Sequence, residues 1–196
     1  MSESEVSGSD IYLQPFVRFE RGRRYMVCAR SGHGKTSLLN FIYGSSTSFD
    51  GAVDLHTEGF DILELRRRHL GCLFQDLRLF PELTAMENVL IKNALTGFKG
   101  EAEVERMLDR VLSPEKKRQP VATLSLGQRQ RVAAVRALCQ PMEFLLMDEP
   151  FSHLDRNSAR EVATLVDEEL TAQGAGLIVT ALDPIDLFSF DQTLNL

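Results

Sequence analysis

The sequence has no tryptophan, three tyrosines and three cysteines among 196 residues. Cys28, Cys72 and Cys139 are odd in number, widely spaced and without a C-x-x-C pair. Each lies beside apolar residues, which leaves buried free thiols in a reducing compartment as the reading. No apolar run reaches the ~20 residues that a bilayer crossing needs. The polar start Met1-Ser2-Glu3-Ser4-Glu5 lacks the pattern of a signal peptide. The expected location is the cytoplasm, and any membrane the protein serves must be crossed by another chain. Positive charge is also in deficit: 22 Lys and Arg stand against 28 Asp and Glu, for a net charge of -6. Phosphate backbones reward clustered cations, so no nucleic-acid partner is expected. The one basic block, Arg66-Arg67-Arg68, reads as a solvated helix face.

What is present is ordinary for a soluble globular protein, with 43% hydrophobic and 26% charged residues. The length suits one domain with a sizeable core. Residues 1–10 are polar and expected to be loose. Phe16 to Glu20 alternates like a half-exposed strand and ends at the turn signal Arg21-Gly22. Tyr25 to Ala29, Leu70 to Phe74, Phe144 to Met147 and Leu177 to Val179 are continuous apolar runs, as in strands buried on both faces. Helical periods fill Thr36 to Tyr43 and Asn157 to Gln173. They dominate from about 76 to 141, where Met86, Val89 and Leu90, then Val104, Met107, Leu108 and Val111, fall on single faces. The rhythm of strand, loop, helix and strand argues an α/β fold, a parallel-sheet core over 1–196 with a mostly helical lobe inserted at approximately 76–141.

Four motifs stand on this frame in a fixed order. The first is Ser31-Gly32-His33-Gly34-Lys35-Thr36, between a buried strand and a helix. Backbone N–H groups converge there on an anion at the positive end of the helix. Lys35 brings a charge to the β- and γ-phosphates, and the Thr36 hydroxyl can ligate Mg²⁺. The second is Gln75, at the end of a buried strand. The third is Leu124-Ser125-Leu126-Gly127-Gln128, with Ser125 as an N-cap and the Gly127 and Gln128 amides as a second anion site. The fourth is Phe144 to Glu149, which delivers Asp148 and Glu149 to the mouth of a parallel sheet.

Together the motifs resemble those of the ATP-binding cassette (ABC) ATPases, of P-loop NTPase fold, over nearly the whole chain. The run Leu79-Phe80-Pro81-Glu82-Leu83-Thr84, continued by Glu87-Asn88-Val89, is most similar to the small ATPases of lipoprotein-release, macrolide-export and cell-division systems. The resemblance implies ATP and Mg²⁺ as cofactors, with Thr36, Gln75 and Asp148 around the metal and Glu149 polarising the attacking water with Gln75. It implies that Ser125, Gly127 and Gln128 reach the nucleotide held by a partner's phosphate loop, in an ATP-dependent homodimer or heterodimer. It also implies a separate transmembrane subunit and a peripheral place on the inner face of the cell membrane. Ser152 and Asp155 match the family's loop after the Asp-Glu pair, and His153 within it is given no catalytic role. Leu79 and Phe80 either line a groove for the membrane partner or pack the helical lobe.

Three positions depart from the family pattern. Ala29 replaces the first glycine of the phosphate loop and costs about 1–2 kcal/mol if its backbone must be left-handed. Leu126 replaces a glycine of the third motif. The switch histidine is missing after the last buried strand, where the chain reads Thr180-Ala181-Leu182-Asp183 and the slot falls on Leu182, or on Ala181 when aligned on Val179-Thr180. Tyr12 is the one candidate for an aromatic against adenine. The expected function is Mg-ATP hydrolysis that drives a membrane partner. The alternative is a slow or non-hydrolysing ATP-gated dimerisation switch for a membrane or cell-division partner, and a third class, soluble cassettes acting on nucleic acid, lacks its usual tandem or coiled-coil insertions here.

Overall fold

The structure, a computed structural model, describes residues 9–55 and 61–196. The described strands form one parallel sheet: β1 (Arg24–Cys28), β2 (Leu70–Leu73), β3 (Phe144–Asp148), β4 (Gly176–Ala181) and β5 (Gln192–Asn195). Their spatial order is β2-β3-β4-β1-β5, so the chain crosses over repeatedly and every paired neighbour is parallel. The crossovers carry α1 (Lys35–Ile42), α2 (Ile62–Glu64), α3 (Ala85–Asn93), α4 (Glu101–Val111), α5 (Pro114–Lys117), α6 (Leu126–Leu138) and α7 (Arg156–Gln173).

Residues one apart on a strand point to opposite faces. Leu145, Met147, Leu177 and Val179 therefore join a large core beneath α6 and α7, whereas Tyr25, Val27, Leu146 and Ile178 pack with Leu38 and Leu39 of α1. Both faces are covered, which is why the sequence of these strands is apolar without alternation. Between β2 and β3 the chain is helical. Thr84 opens α3 with a reciprocal cap: its hydroxyl accepts from Glu87 N–H at 3.2 Å and its own N–H donates to Glu87 Oε2 at 2.8 Å. Such a cap is worth about 1 kcal/mol. Helix α4 buries Val104, Met107, Leu108 and Val111, the stripe its periodicity predicts.

Several expectations need correction. Phe16 to Glu20 is not a strand. Phe19 packs edge-on to Tyr25 at 4.9 Å and Glu20 N–H donates to the Tyr25 hydroxyl at 2.8 Å, while Phe16 is 79% exposed. The alternation is thus met by packing on one side, with no ladder beside it. Residues 1–8 lie outside the described residues, but Ser9 and Asp10 are not loose. Ser9 is buried and caps the Ile11 and Tyr12 amides, and Asp10 exchanges hydrogen bonds with Asn195 on β5. Arg66 is not a solvated side chain either: its guanidinium donates to the Tyr43 and Gly44 carbonyls at the end of α1 and lies over the Tyr43 ring. Arg67 and Arg68 are exposed, and Arg68 pairs with Glu64.

All three cysteines are free, with Cys139 buried and Cys28 and Cys72 half-buried. Desolvation pushes the thiols of Cys72 and Cys139 from an ordinary 9.0 up to about 12. The raised value favours the neutral thiol in the folded chain, so this contribution to stability is whole below pH 9.0 and is lost as pH climbs toward about 12. Two outcomes are expected: iodoacetamide at pH 8 leaves Cys72 and Cys139 unmodified in folded protein, and the urea midpoint falls above pH 9. Rapid native-state alkylation of either residue would contradict this placement.

Candidate active site

Strands β1, β2 and β3 end at the same edge of the sheet, and each delivers part of the site. The loop after β1 makes its turn with Gly32 at φ 82° and Gly34 at φ 83°, a backbone that glycine adopts freely. Ala29 is not among the residues of positive φ, so the small side chain is accommodated without left-handed strain. Ser31 and Gly32 are exposed, and His33 contacts the Ser31 carbonyl through Nδ1 at 3.1 Å. Helix α1 then starts at Lys35, and its first-turn N–H groups have no intrahelical acceptor. Lys35 is only 5% exposed. Its ammonium donates to the carbonyls of Ala29 (2.8 Å) and Arg30 (3.1 Å) and lies 3.3 Å from Glu149 Oε1.

Thr36, Gln75 and Asp148 meet beside this lysine. The Thr36 hydroxyl donates to Asp148 Oδ2 at 2.6 Å and lies 3.3 Å from Gln75 Oε1. Asp148 is buried, and its other oxygen accepts from the Thr180 hydroxyl on β4 at 2.6 Å. These three groups, with Cys72 and Arg78, line a cleft of about 160 Å³. An all-oxygen set with one carboxylate fits Mg²⁺, which keeps few protein ligands and completes its shell with phosphate and water. Among the described residues no group of three His, Cys, Asp or Glu could hold a metal by itself. The site suits a cation that arrives with a phosphate ligand.

Glu149 follows with φ 47°, a backbone that costs a non-glycine residue about 1–3 kcal/mol. Its N–H donates to the Thr180 carbonyl (3.1 Å), and its carbonyl accepts from Gln130 Nε2 (3.1 Å) and the Ser152 hydroxyl (3.1 Å). The turn leaves the carboxylate half-buried next to Lys35. His153 is exposed, as a loop histidine should be.

The third motif is not joined to this cluster by any hydrogen bond or ion pair among the described residues. Ser125 caps α6, with its hydroxyl accepting from Gln128 N–H (3.3 Å) and its N–H donating to Gln128 Oε1 (3.0 Å). The Gln128 amide is therefore already engaged. The backbone donors that remain at this helix start are those of Leu126 and Gly127. Gly127 has a different necessity: a Cβ there would sit 2.7 Å from the His153 carbonyl oxygen. Leu126 is 41% and Leu182 is 50% exposed, whereas Ala181, the other position for the switch, is buried. Leu182 offers no polar donor. Leu79 packs against the core, and Phe80 is half-exposed. Tyr12 is half-buried.

The family model described as ABC transporter matches residues 16–152. The chain belongs to that family. This cassette is 34% identical over 166 residues to the lipoprotein-releasing system ATP-binding protein LolD of Saccharophagus degradans, a match that covers 80% of the chain and 72% of LolD. It is 35% identical over 174 residues to the macrolide export ATP-binding/permease protein MacB of Bradyrhizobium diazoefficiens, covering 84% of the chain but 26% of MacB. Among solved structures it is similar to the dimeric structure of MJ0796, a bacterial ABC transporter cassette, with a TM-score of 0.76 and 26% identity over 85% of this chain and 78% of that one. A dimeric post-hydrolysis state of the same cassette bound to ADP and Pi matches with a TM-score of 0.71. The cassette is thus an ABC ATPase of P-loop NTPase fold. Two residues of the site escaped the sequence reading, Thr180 and Gln130. A threonine in an apolar strand and a glutamine in a helix carry no local signal of the carboxylate or carbonyl they hold.

Proposed function

We propose that the cassette binds Mg-ATP at the convergence of β1, β2 and β3 and hydrolyses it with Glu149 as the base. The observation that carries this reading is the contact of five motif residues, Lys35, Thr36, Gln75, Asp148 and Glu149, from three separate stretches of sequence. Ser31 to Thr36 wrap the phosphates, and Lys35 supplies the charge opposite the β- and γ-oxygens. Thr36, Gln75 and Asp148 hold Mg²⁺, which when bound neutralises charge developing on the phosphates. Thr180 keeps one Asp148 oxygen occupied so that the other faces Thr36. Glu149 accepts the proton of the attacking water, and Gln75 orients that water through its carboxamide.

Ser125, Gly127 and Gln128 lie on a separate segment, read as a lobe inserted at approximately 76–141. They complete the site of a second subunit, which accounts for the lack of a hydrogen bond or ion pair joining them to the chain's own Lys35 cluster among the described residues. The likeness to dimeric cassettes supports this arrangement. No helix among the described residues is long and apolar enough to cross a membrane. A relative named as an ATP-binding/permease protein, of which this chain matches 26%, supports a transmembrane partner. The cassette then sits on the inner face of the membrane beneath that partner, with half-exposed Phe80 available to it. Neither Leu182 nor Ala181, the two positions on which the family's switch histidine can fall, offers a side-chain donor to the reacting phosphoryl group. The loss of such a donor lowers the rate by about 10²–10³.

The metal assignment is tested by ATP affinity in Mg²⁺ and in EDTA. Wild-type protein should bind at least ten-fold more tightly with Mg²⁺. Thr36→Val, which keeps the shape and removes the hydroxyl, should reduce that gain to less than threefold. A Thr36→Val protein with the full gain would remove this residue from the metal site.

A further inference from the structure

Among the described residues three non-glycine positions have a left-handed backbone: Leu77 (φ 60°), Arg78 (φ 47°) and Glu149 (φ 47°). The first two follow Gln75 in its loop, and the third carries the carboxylate assigned as base. Residues other than glycine rarely adopt this region, and where they do the surrounding structure must hold them there. In all three the carbonyl of the strained residue is gripped by a side chain from the same helix, α6. Gln130 Nε2 donates to the Glu149 carbonyl at 3.1 Å. Arg136 donates through Nη2 to the Leu77 carbonyl at 2.7 Å and through Nη1 to the Arg78 carbonyl at 2.5 Å.

Neither grip is incidental to a helix surface. Gln130 is 3% exposed and its amide is used at both ends, since Oε1 also accepts from His153 N–H at 3.2 Å. Gly127, one turn earlier, lies so close to the His153 carbonyl that no side chain fits between. Arg136 bridges two successive carbonyls with the two arms of one planar guanidinium, a geometry that an ammonium cannot reproduce. Arg136 is six positions after Gln130, about 9 Å along the helix axis. One helix therefore anchors the two loops that carry Gln75 and Glu149.

We propose that Gln130 and Arg136 are positioning residues that tie Glu149 and the Gln75 loop to α6. They hold strained backbones, so the two side chains that act on the attacking water move as one body with the helix capped by Ser125. This inference rests on the function proposed above. It gives α6 a task beyond packing: whatever engages the Ser125 end is transmitted to both catalytic loops through two side chains.

The test uses Gln130→Met and Arg136→Met, similar in length but without the donors, with Gln130→Glu and Arg136→Lys as second variants at each position. Gln130→Glu keeps the acceptor for His153 N–H and loses the donor to the Glu149 carbonyl and the Ser152 hydroxyl, so it serves if the methionine variant does not fold. In Gln130→Met and Gln130→Glu, kcat should fall at least ten-fold while the Kd for Mg-ATP stays within twofold. Arg136→Lys should retain less than a third of the wild-type kcat. Amide hydrogen exchange supplies a second readout. Gln130→Met should speed exchange at Ser152 and His153 and spare Leu77 and Arg78, and Arg136→Met should do the reverse. A kcat within twofold of wild type, or affinity and kcat falling together with exchange raised throughout the protein, would overturn the proposal. Phosphate release by wild type no faster than by Lys35→Ala would instead sink the underlying function, and the exchange pattern alone would then decide the clamp.

Discussion

Replacing Lys35 with alanine is expected to weaken Mg-ATP binding by at least 100-fold. The side chain is almost wholly buried, and its ammonium is held inside the loop by the Ala29 and Arg30 carbonyls and the Glu149 carboxylate. A buried cation fixed in this way is already oriented for an anion that enters the loop. Each charge-assisted hydrogen bond to such a group contributes about 1.5–3 kcal/mol, and 100-fold in affinity corresponds to about 2.8 kcal/mol. The loss of one or two such bonds therefore reaches the stated effect. Truncation also removes the brace between the start and end of the loop, since Lys35 joins residues five and six positions earlier. Calorimetric titration with Mg-ATP reads the change directly, and wild-type affinity in the variant would reject the phosphate-loop assignment.

Glu149→Gln should have the opposite signature, a kcat reduced at least 100-fold with Mg-ATP affinity kept. The backbone of residue 149 is fixed by groups that the substitution leaves alone: the Thr180 carbonyl, the Gln130 carboxamide and the Ser152 hydroxyl. A carboxamide fills the same volume beside Lys35 but cannot take a proton, and a positioned general base contributes about 10²–10⁴ in rate. Removing a negative charge from beside bound phosphates gives no cause for weaker binding. Rapid-quench single-turnover measurements separate the two quantities. Parallel loss of affinity and rate would mean that Glu149 serves the structure of the site rather than its chemistry.

The contrast between the variants follows from geometry that was partly legible in the sequence. Ser31 to Thr36, Gln75, Asp148 and Glu149 could be read because each ends or follows a continuous apolar strand, and parallel strands bring such ends to one edge. Helix starts at Thr84 and Ser125 were legible because a reciprocal cap needs only local residue types. Features that depend on partners distant in sequence were not. Phe16 to Glu20 has the alternation of a strand, yet pairing needs a neighbouring strand that no local pattern can promise. Strand β5, Gln-Thr-Leu-Asn, is polar and buries only Leu194, so its apolar signal is a single residue. Arg66 looks like part of a charge run until the end of α1 is placed beneath it. Leu77 and Arg78 are not residue types that announce a left-handed backbone. Their carbonyls are held by Arg136, 59 and 58 residues away. The replacements at Ala29, Leu126 and Leu182 were visible in the sequence, but only the backbone could show that Ala29 is unstrained.

Steady-state phosphate release from Mg-ATP, by wild type beside Glu149→Gln prepared in the same way, tests the central claim most directly. A saturable rate at least ten-fold above the variant is predicted. The rate should vanish when EDTA replaces Mg²⁺. Equal rates from the two proteins, under conditions where both bind Mg-ATP, would contradict Glu149-dependent hydrolysis at this site.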